Sequence, residues 1–208
     1  MDRVLTKIFQ SINPDWINGH IWEILAVGIV TSLLLAIIPR WEQITDRFSR
    51  WLGYGGMVAL LGMAFLVFYD ITTRKLFHGG SIGLQELEWH LYAITFLFGI
   101  GYTLSVDKHV RVDILYTRYP TQLKWSIDLI ALTLFIIPLT VLIIAQALPF
   151  VAESYLQQER SGDPGGLCCR WIIKSAILIG FIGLYLQTSG EIRKRILKLV
   201  KSCSSKGG

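Results

Sequence analysis

Charge is scarce in this chain. Asp, Glu, Lys and Arg make up 17% of its 208 residues, where a soluble domain carries about a quarter. That excludes a disordered chain and argues against a water-soluble enzyme. Three cysteines cannot build a disulfide framework, and no Cys/His spacing resembles a zinc site. No Ser/His/Asp set, glycine-rich phosphate loop or metal motif occurs. Ionisable residues are missing from the middle of every long apolar run: Glu23, Asp70, His90, Asp128 and Lys174 sit near run ends. A carrier that binds ions places such groups near the bilayer midplane, where they are expensive and functional. Paired Gly/Pro-interrupted segments like those of secondary transporters are missing too. Haem ligation needs two histidines on facing helices, but His20, His78, His90 and His109 fall in loops or at run edges.

What is present is apolar. Hydrophobic residues reach 52% and the mean hydropathy is +0.50. Five stretches, roughly Ile21–Ile38, Trp51–Thr72, Trp89–Val106, Trp125–Phe150 and Trp171–Gln187, approach the 17–25 residues of a spanning helix. The first has Glu23 near its start and reads as a span, with an interfacial helix as the alternative. It is not a convincing signal peptide, because some twenty mostly polar residues precede it and no small-x-small cleavage site follows. The fourth contains Pro138 and Pro149, and a tilt or kink is predicted near Pro138. Trp22, Trp41, Trp51, Trp89, Trp125 and Trp171 mark the edges of these stretches, as indoles do in the headgroup zone.

The net charge of +5 follows a membrane rule, not a nucleic-acid one. Lys and Arg alternate 3, 2, 4, 2, 6 along the loops and tail, counted from Arg40, Arg47 and Arg50 to the six bases between Arg193 and Lys206. The richer side is cytoplasmic by the positive-inside rule. The C-terminus is therefore expected inside, and the N-terminus outside if all five stretches span.

Trp41, Ile44, Phe48 and Trp51 recur at helical spacing within Arg40–Trp51 and predict a short helix on the cytoplasmic surface. In the tail, Ile192, Ile196, Leu199 and Val200 oppose basic residues, which predicts a second helix touching anionic lipid. The alternative is a solvated extension of the last span. Residues 204–208 read as disordered. Small residues at Gly28/Ser32/Ala36, Gly55/Ala59 and Ala176/Gly180 allow helices to approach closely. Thr31, Ser32, Thr95 and Thr140 read as hydroxyls bonding back to their own helix. Cys168-Cys169 reads as two ordinary thiols, because neighbouring cysteines bridge only with difficulty.

One polar segment is more distinctive. Gln85-Glu86-Leu87-Glu88-Trp89 opens the third stretch, Leu97-Phe98-Gly99-Ile100-Gly101-Tyr102 fills it, and Asp107-Lys108-His109-Val110-Arg111-Val112-Asp113-Ile114-Leu115 follows. This resembles the small membrane (Q-type) subunit of tripartite ATP-independent periplasmic (TRAP) transporters. Asp70 with Arg74, and Gly162–Leu167 ahead of Arg170-Trp171, fit the same pattern. The resemblance covers about residues 51–190, and His109–Asp113 is its most specific part.

The resemblance implies an all-α integral membrane fold with a four-helix body over 51–190; the extra N-terminal span with an interfacial helix over 1–50 departs from the commoner four-helix form and marks an enlarged member, and a basic cytoplasmic tail occupies 191–208. It implies a non-enzymatic subunit of the bacterial inner membrane. Its partners would be a large elevator-type membrane subunit, a periplasmic substrate-binding protein and membrane lipid, with no nucleic acid. The imported solute would be an organic anion, a carboxylate or sulfonate. Sodium would bind the large subunit, leaving this chain without cofactor or metal. Candidate structural or subunit-interface residues are Asp70, Arg74, Glu86, Glu88, Gly99, Asp107, His109, Arg111 and Asp113. Asp70 and Arg74 can pair with each other, while Glu86 and Glu88 can meet basic groups on a partner or simply start a helix. Asp107, His109, Arg111 and Asp113 can brace their own loop or clamp the large subunit. A membrane anchor for a redox or other enzyme complex is the alternative function.

Overall fold

The computed structural model describes residues 2–77, 79–106 and 119–204. Asp107, His109, Arg111 and Asp113 lie outside the described residues. Among those described, the secondary structure is helical throughout: α1 (Asp2–Gln10), α2 (Pro14–Gly19), α3 (Ile21–Ile37), α4 (Trp41–Phe77), α5 (Ile82–Ser105), α6 (Thr121–Ala131), a π-helical turn (Leu132–Ile136), α7 (Ile137–Leu156) and α8 (Trp171–Ser204).

Local chemistry sets several borders. Asn13 caps α2, its side chain accepting from the Asp15 and Trp16 N–H groups at 2.9 and 3.4 Å, with Pro14 at the first helical position, where its missing N–H costs nothing. α3 stops at Ile37 because Ile38 precedes Pro39 and is extended (φ −62°, ψ 127°); a proline ring excludes helical geometry from the residue before it.

Two expected interfacial helices prove to be the ends of long ones. Residues 41–51 are the start of α4 and the tail is the end of α8. At 1.5 Å per residue, α4 extends about 55 Å and α8 about 51 Å, well beyond a hydrocarbon core of about 30 Å. The expected borders at residues 50 and 190 thus fall inside continuous helices. The start of α4 also has the opposite facing from a simple surface helix. Thr45 and Ser49 are buried, while Ile44, Phe48 and Trp51 are exposed. Likewise Ile192 is fully buried, so the first turn of the tail packs into the body and does not lie on lipid.

Among the described residues three helices are long and apolar enough to cross a membrane, over Trp41–Leu76, Gln122–Leu156 and Trp171–Ser202; α3 is a shorter apolar one. α5 dilutes its apolar residues with Glu86, Glu88 and His90. Its 24 residues still extend about 36 Å, packed against both α4 and α8. In the fourth stretch the response to Pro138 is a widened turn over Leu132–Ile136, where the Ile137 N–H reaches the Leu132 carbonyl. Proline lacks an N–H and crowds the carbonyl four residues back, and the π turn accommodates both.

The bundle has two distinct ends. Phe9 meets Tyr155 at 5.1 Å between ring centroids, and Tyr155 meets Trp171 at 5.4 Å, so α1 lies beside the loop that joins α7 to α8. At the other end Arg193 of α8 donates to the Ala36 and Ile37 carbonyls at 2.9 and 3.1 Å. α3 therefore runs from one end of the bundle to the other. Its small stripe faces inward: Gly28, Ser32 and Ala36 are all buried. Thr31 and Thr140 bond back to their own helices, and Thr31 also meets the Tyr185 hydroxyl at 2.7 Å. The Ser32 hydroxyl is buried without a hydrogen-bond partner.

Close approach explains the packed glycines. A Cβ at Gly180 would stand 2.7 Å from the Leu97 carbonyl oxygen, and one at Gly28 2.5 Å from Val141. On α4 the inward pair is Gly56 and Ala59, since Gly55 is exposed. Around these contacts lies a core of Ala36, Leu104, Leu132, Ile137, Val141, Leu184 and Ile192. A Cβ at Gly99, by contrast, meets nothing within 4 Å. Gly180→Val is expected to lower the thermal midpoint of the purified chain in detergent by the equivalent of about 1–3 kcal/mol of overpacking. Gly99→Val should leave it within error.

Candidate functional site

Two polar assemblies hold the ends of this apolar bundle. The first surrounds the start of α5. Arg74 Nε donates to Asp70 Oδ2 at 2.7 Å, so this expected i, i+4 pair forms on the last turns of α4. The Gln85 amide, turned with its oxygen toward Arg74, accepts from Nη1 at 3.0 Å. The end of α4 is thereby tied to the start of α5.

Glu86 reaches from α5 into the loop ahead of α8. It accepts from the Ser161 hydroxyl and from the Leu167 backbone N–H, the latter at 2.6 Å. The Ser161 hydroxyl, then the Leu167 N–H, hold the Glu86 carboxyl below its ordinary value near 4.5 against the opposing effect of desolvation. The loop closes on itself through Ser161 N–H to the Leu167 carbonyl (3.1 Å) and Arg170 N–H to the Glu159 carbonyl (3.2 Å). Glu159 pairs with Lys174, which also lies 3.9 Å over the Phe150 ring. Cys168 and Cys169 are free thiols with sulfurs 3.3 Å apart.

Glu88 differs from Glu86. One of its carboxylate oxygens is buried without a hydrogen-bond partner, in a depression lined by Met63, Val67, Trp89 and Tyr92. Glu86 thus serves the fold of this chain, whereas Glu88 keeps unspent hydrogen-bonding capacity. Gly99 lies three turns further along α5 on the stripe of Trp89, Tyr92 and Phe96, which are 78%, 63% and 63% exposed.

The second assembly lies at the opposite end. Gln187, fully buried, accepts from Ser49 Oγ at 2.8 Å and donates to Asp46 Oδ1 at 2.8 Å and Glu191 Oε1 at 3.2 Å. Lys194 donates to Asp46 at 2.7 Å and Glu191 at 2.6 Å. Arg195 pairs with Glu191 and stands 3.6 Å from Asp128 on α6. Arg193 donates to Glu42 at 2.6 Å, and the Trp41 indole donates to Ser189 at 2.8 Å. Four helices, α3, α4, α6 and α8, meet in this network. Sequence reading missed it, because the bases of α8 read as a lipid-facing tail. The available signals were the Gln187-Thr188-Ser189 run and Glu191 spaced four residues before Arg195.

Among the described residues no three His, Cys, Asp or Glu side chains gather as metal ligands. The two assemblies fasten helices together; apart from Glu88, the acids described in them are engaged by bases, hydroxyls, amides and backbone N–H groups.

Residues 63–198 match the sequence model of a family described as tripartite ATP-independent periplasmic transporters, DctQ component. The chain belongs to this family. No curated protein matches it. Membership makes it the small membrane component of a TRAP transporter, a multi-pass protein of the inner membrane from a transporter family and not an enzyme family. The DctQ match takes in the last 15 of the 37 residues of α4 and most of α8, with α5, α6 and α7 between. Residues 1–62 precede it. The second assembly joins the two parts, since Glu42 and Asp46 lie ahead of the match and Gln187, Glu191 and Arg193–Arg195 lie within it.

Two outcomes follow. Glu191→Ala removes the buried acid shared by Gln187, Lys194 and Arg195, leaving Asp46 and Asp128 as the remaining acids, and breaking a buried pair costs roughly 3–5 kcal/mol; the variant should unfold far below wild type on heating or fail to accumulate. For Glu86, a depressed carboxyl contributes stability that is present above about pH 4.5 and is lost as pH falls through its folded value. Wild type should therefore exceed Glu86→Gln in thermal midpoint at pH 7, and the gap should close as the pH is taken below that window. Cys168 should alkylate faster in Glu86→Gln at pH 7, when its loop is untied.

Proposed function

We propose that this chain is the static scaffold of a sodium-coupled TRAP importer for an organic anion, a carboxylate or a sulfonate. The large membrane subunit moves the solute and carries the sodium and substrate sites. A periplasmic binding protein delivers the anion. The chain itself packs beside the large subunit and widens its fixed part.

The observation that carries this reading is the outward face of α5. Trp89, Tyr92 and Phe96 stand exposed around an open notch at Gly99, and Glu88 beside them keeps a sheltered oxygen without a partner. A buried carboxylate oxygen left unbonded is costly, and a donor from a neighbouring subunit removes that cost. Small and aromatic residues together suit helix packing inside a bilayer, where backbones must approach closely.

Orientation follows from the ends of the bundle. The loop tied by Glu86 and the N-terminal helices share one end, and the network around Glu191 occupies the other. The alternation of basic loops assigns the Glu191 end to the cytoplasm. Glu86, Glu88 and the loop at 157–170 then face the periplasm, where the binding protein docks. For Asp107, His109, Arg111 and Asp113, which lie outside the described residues, the proposed roles stay those of a cytoplasmic brace for their own loop or a clamp on the large subunit.

Co-purification with the large subunit tests the reading. Gly99→Leu fills the notch, and Glu88→Ala removes the carboxylate. Each should lower recovery of the complex about tenfold, the effect of about 1.4 kcal/mol, while the isolated Gly99→Leu chain keeps its thermal midpoint. Full recovery of both variants would turn this face toward lipid. Liposomes holding this chain alone should show no sodium-driven uptake; uptake there would make it a carrier in its own right.

A further inference from the structure

The bases of this chain near the Glu191 end differ in how they are engaged, and Arg50, Lys198 and Lys201 stand exposed there outside the groove at the start of α4. Arg193, Lys194 and Arg195 are consumed by Glu42, Asp46, Glu191 and Asp128. Arg40 and Arg47 are exposed, and no acid pairs with either among the described residues. Both line a single groove of about 530 Å³ along the first turns of α4. Its remaining walls include Ile44, Phe48 and Trp51, which are 57%, 39% and 71% exposed. The nearest acids on the same helix, Glu42 and Asp46, face α8 and are already paired, so the charge on the groove is positive.

Arg40 is held there by the backbone. It follows Pro39 and has φ +61°, a left-handed conformation that costs a non-glycine residue roughly 1–2 kcal/mol. The Trp41 N–H reaches back to the Ile38 carbonyl at 3.3 Å, and the Gln43 N–H to the Arg40 carbonyl at 3.0 Å. This turn sets Arg40 at the head of the groove. Arg47 follows two helical turns later, about 10 Å along the axis, and the apolar residues continue from the arginines toward the apolar part of α4.

We propose that this groove binds one anionic phospholipid of the membrane, with its phosphodiester between the guanidinium groups of Arg40 and Arg47 and an acyl chain along Ile44, Phe48 and Trp51. Guanidinium is the side chain best fitted to phosphate, offering paired N–H donors in a plane. A cationic head joined to an apolar track on the outside of a membrane helix has the amphipathic form of a phospholipid and of no free anion. Trp51 sits where the headgroup zone meets hydrocarbon. Placing the lipid in the cytoplasmic leaflet rests on the orientation proposed above; the groove chemistry does not. Of the basic tail expected to touch anionic lipid, Arg193, Lys194 and Arg195 are spent inside, while Lys198 and Lys201 stay exposed; the groove adds a second contact at the start of α4.

The test is native mass spectrometry of the full chain, released from neutral detergent after incubation with phosphatidylglycerol or phosphatidylcholine. Wild type should retain phosphatidylglycerol in preference to phosphatidylcholine. Arg47→Gln should weaken that preference roughly fivefold, and Arg40→Gln with Arg47→Gln should abolish it. Arg50→Gln should leave it intact, because Arg50 lies outside the groove and donates to the Asp46 carbonyl. Millimolar inorganic phosphate should not displace the lipid. Equal retention by wild type and the double variant, or displacement by phosphate, would overturn the proposal. So would loss of retention in the assembled complex, which would put a protein surface over the groove. Because the lipid preference of wild type and variants is read on the isolated chain, failure there leaves the scaffold reading standing, and failure of co-purification leaves that preference untouched.

Discussion

A charge taken out of water must find a partner, and in a bundle this apolar the partner has to come from the chain itself or from a neighbour. Glu191, Arg195 and Gln187 are almost wholly buried, and their network fixes how α3, α4, α6 and α8 meet. Apolar contact alone is a weak guide among membrane helices, since lipid tails satisfy an exposed leucine as well as another helix does. Hydrogen-bond geometry is selective where apolar area is not. The inverted start of α4, with hydroxyls inside and Phe48 and Trp51 outside, follows from that need.

The sequence announced the helical class, the positions of the apolar stretches and the tryptophans at their edges, because these depend on composition over windows of about twenty residues. The Asp70–Arg74 pair was legible as well, since i, i+4 neighbours meet on any helix. What was not legible depended on distant residues. Glu86 looked free for a partner until the loop carrying Ser161 and Leu167 was folded onto it, across 75 and 81 residues of sequence. The tail looked amphipathic because Glu42 and Asp46, which pair with Arg193 and Lys194, lie about 150 residues earlier. Pro138 announced an interruption, but whether the helix would bend or widen depended on packing around Leu132 and Ile137.

Glycine shows the same limit. Gly180, Gly28 and Gly99 are alike in sequence context, each set among large apolar neighbours. Two of them let helices touch within the chain, and one opens outward. The family match separates this chain's common body from what precedes it, and the inward glycines Gly56, Gly101, Gly180 and Gly183 lie on both sides of that border. The body and the preceding helices are therefore packed as one unit.

Synthesis runs from the N-terminus, so the two carboxylates of α4 leave the ribosome long before their bases. Glu42 waits through 151 residues for Arg193, and Asp46 through 148 for Lys194. Until α8 is made, neither acid has its base, and the start of α4 lacks the ion pairs that fasten it. α8 thus locks the helices made before it in place. A chain cut short before Gln187 would lose this fastening altogether.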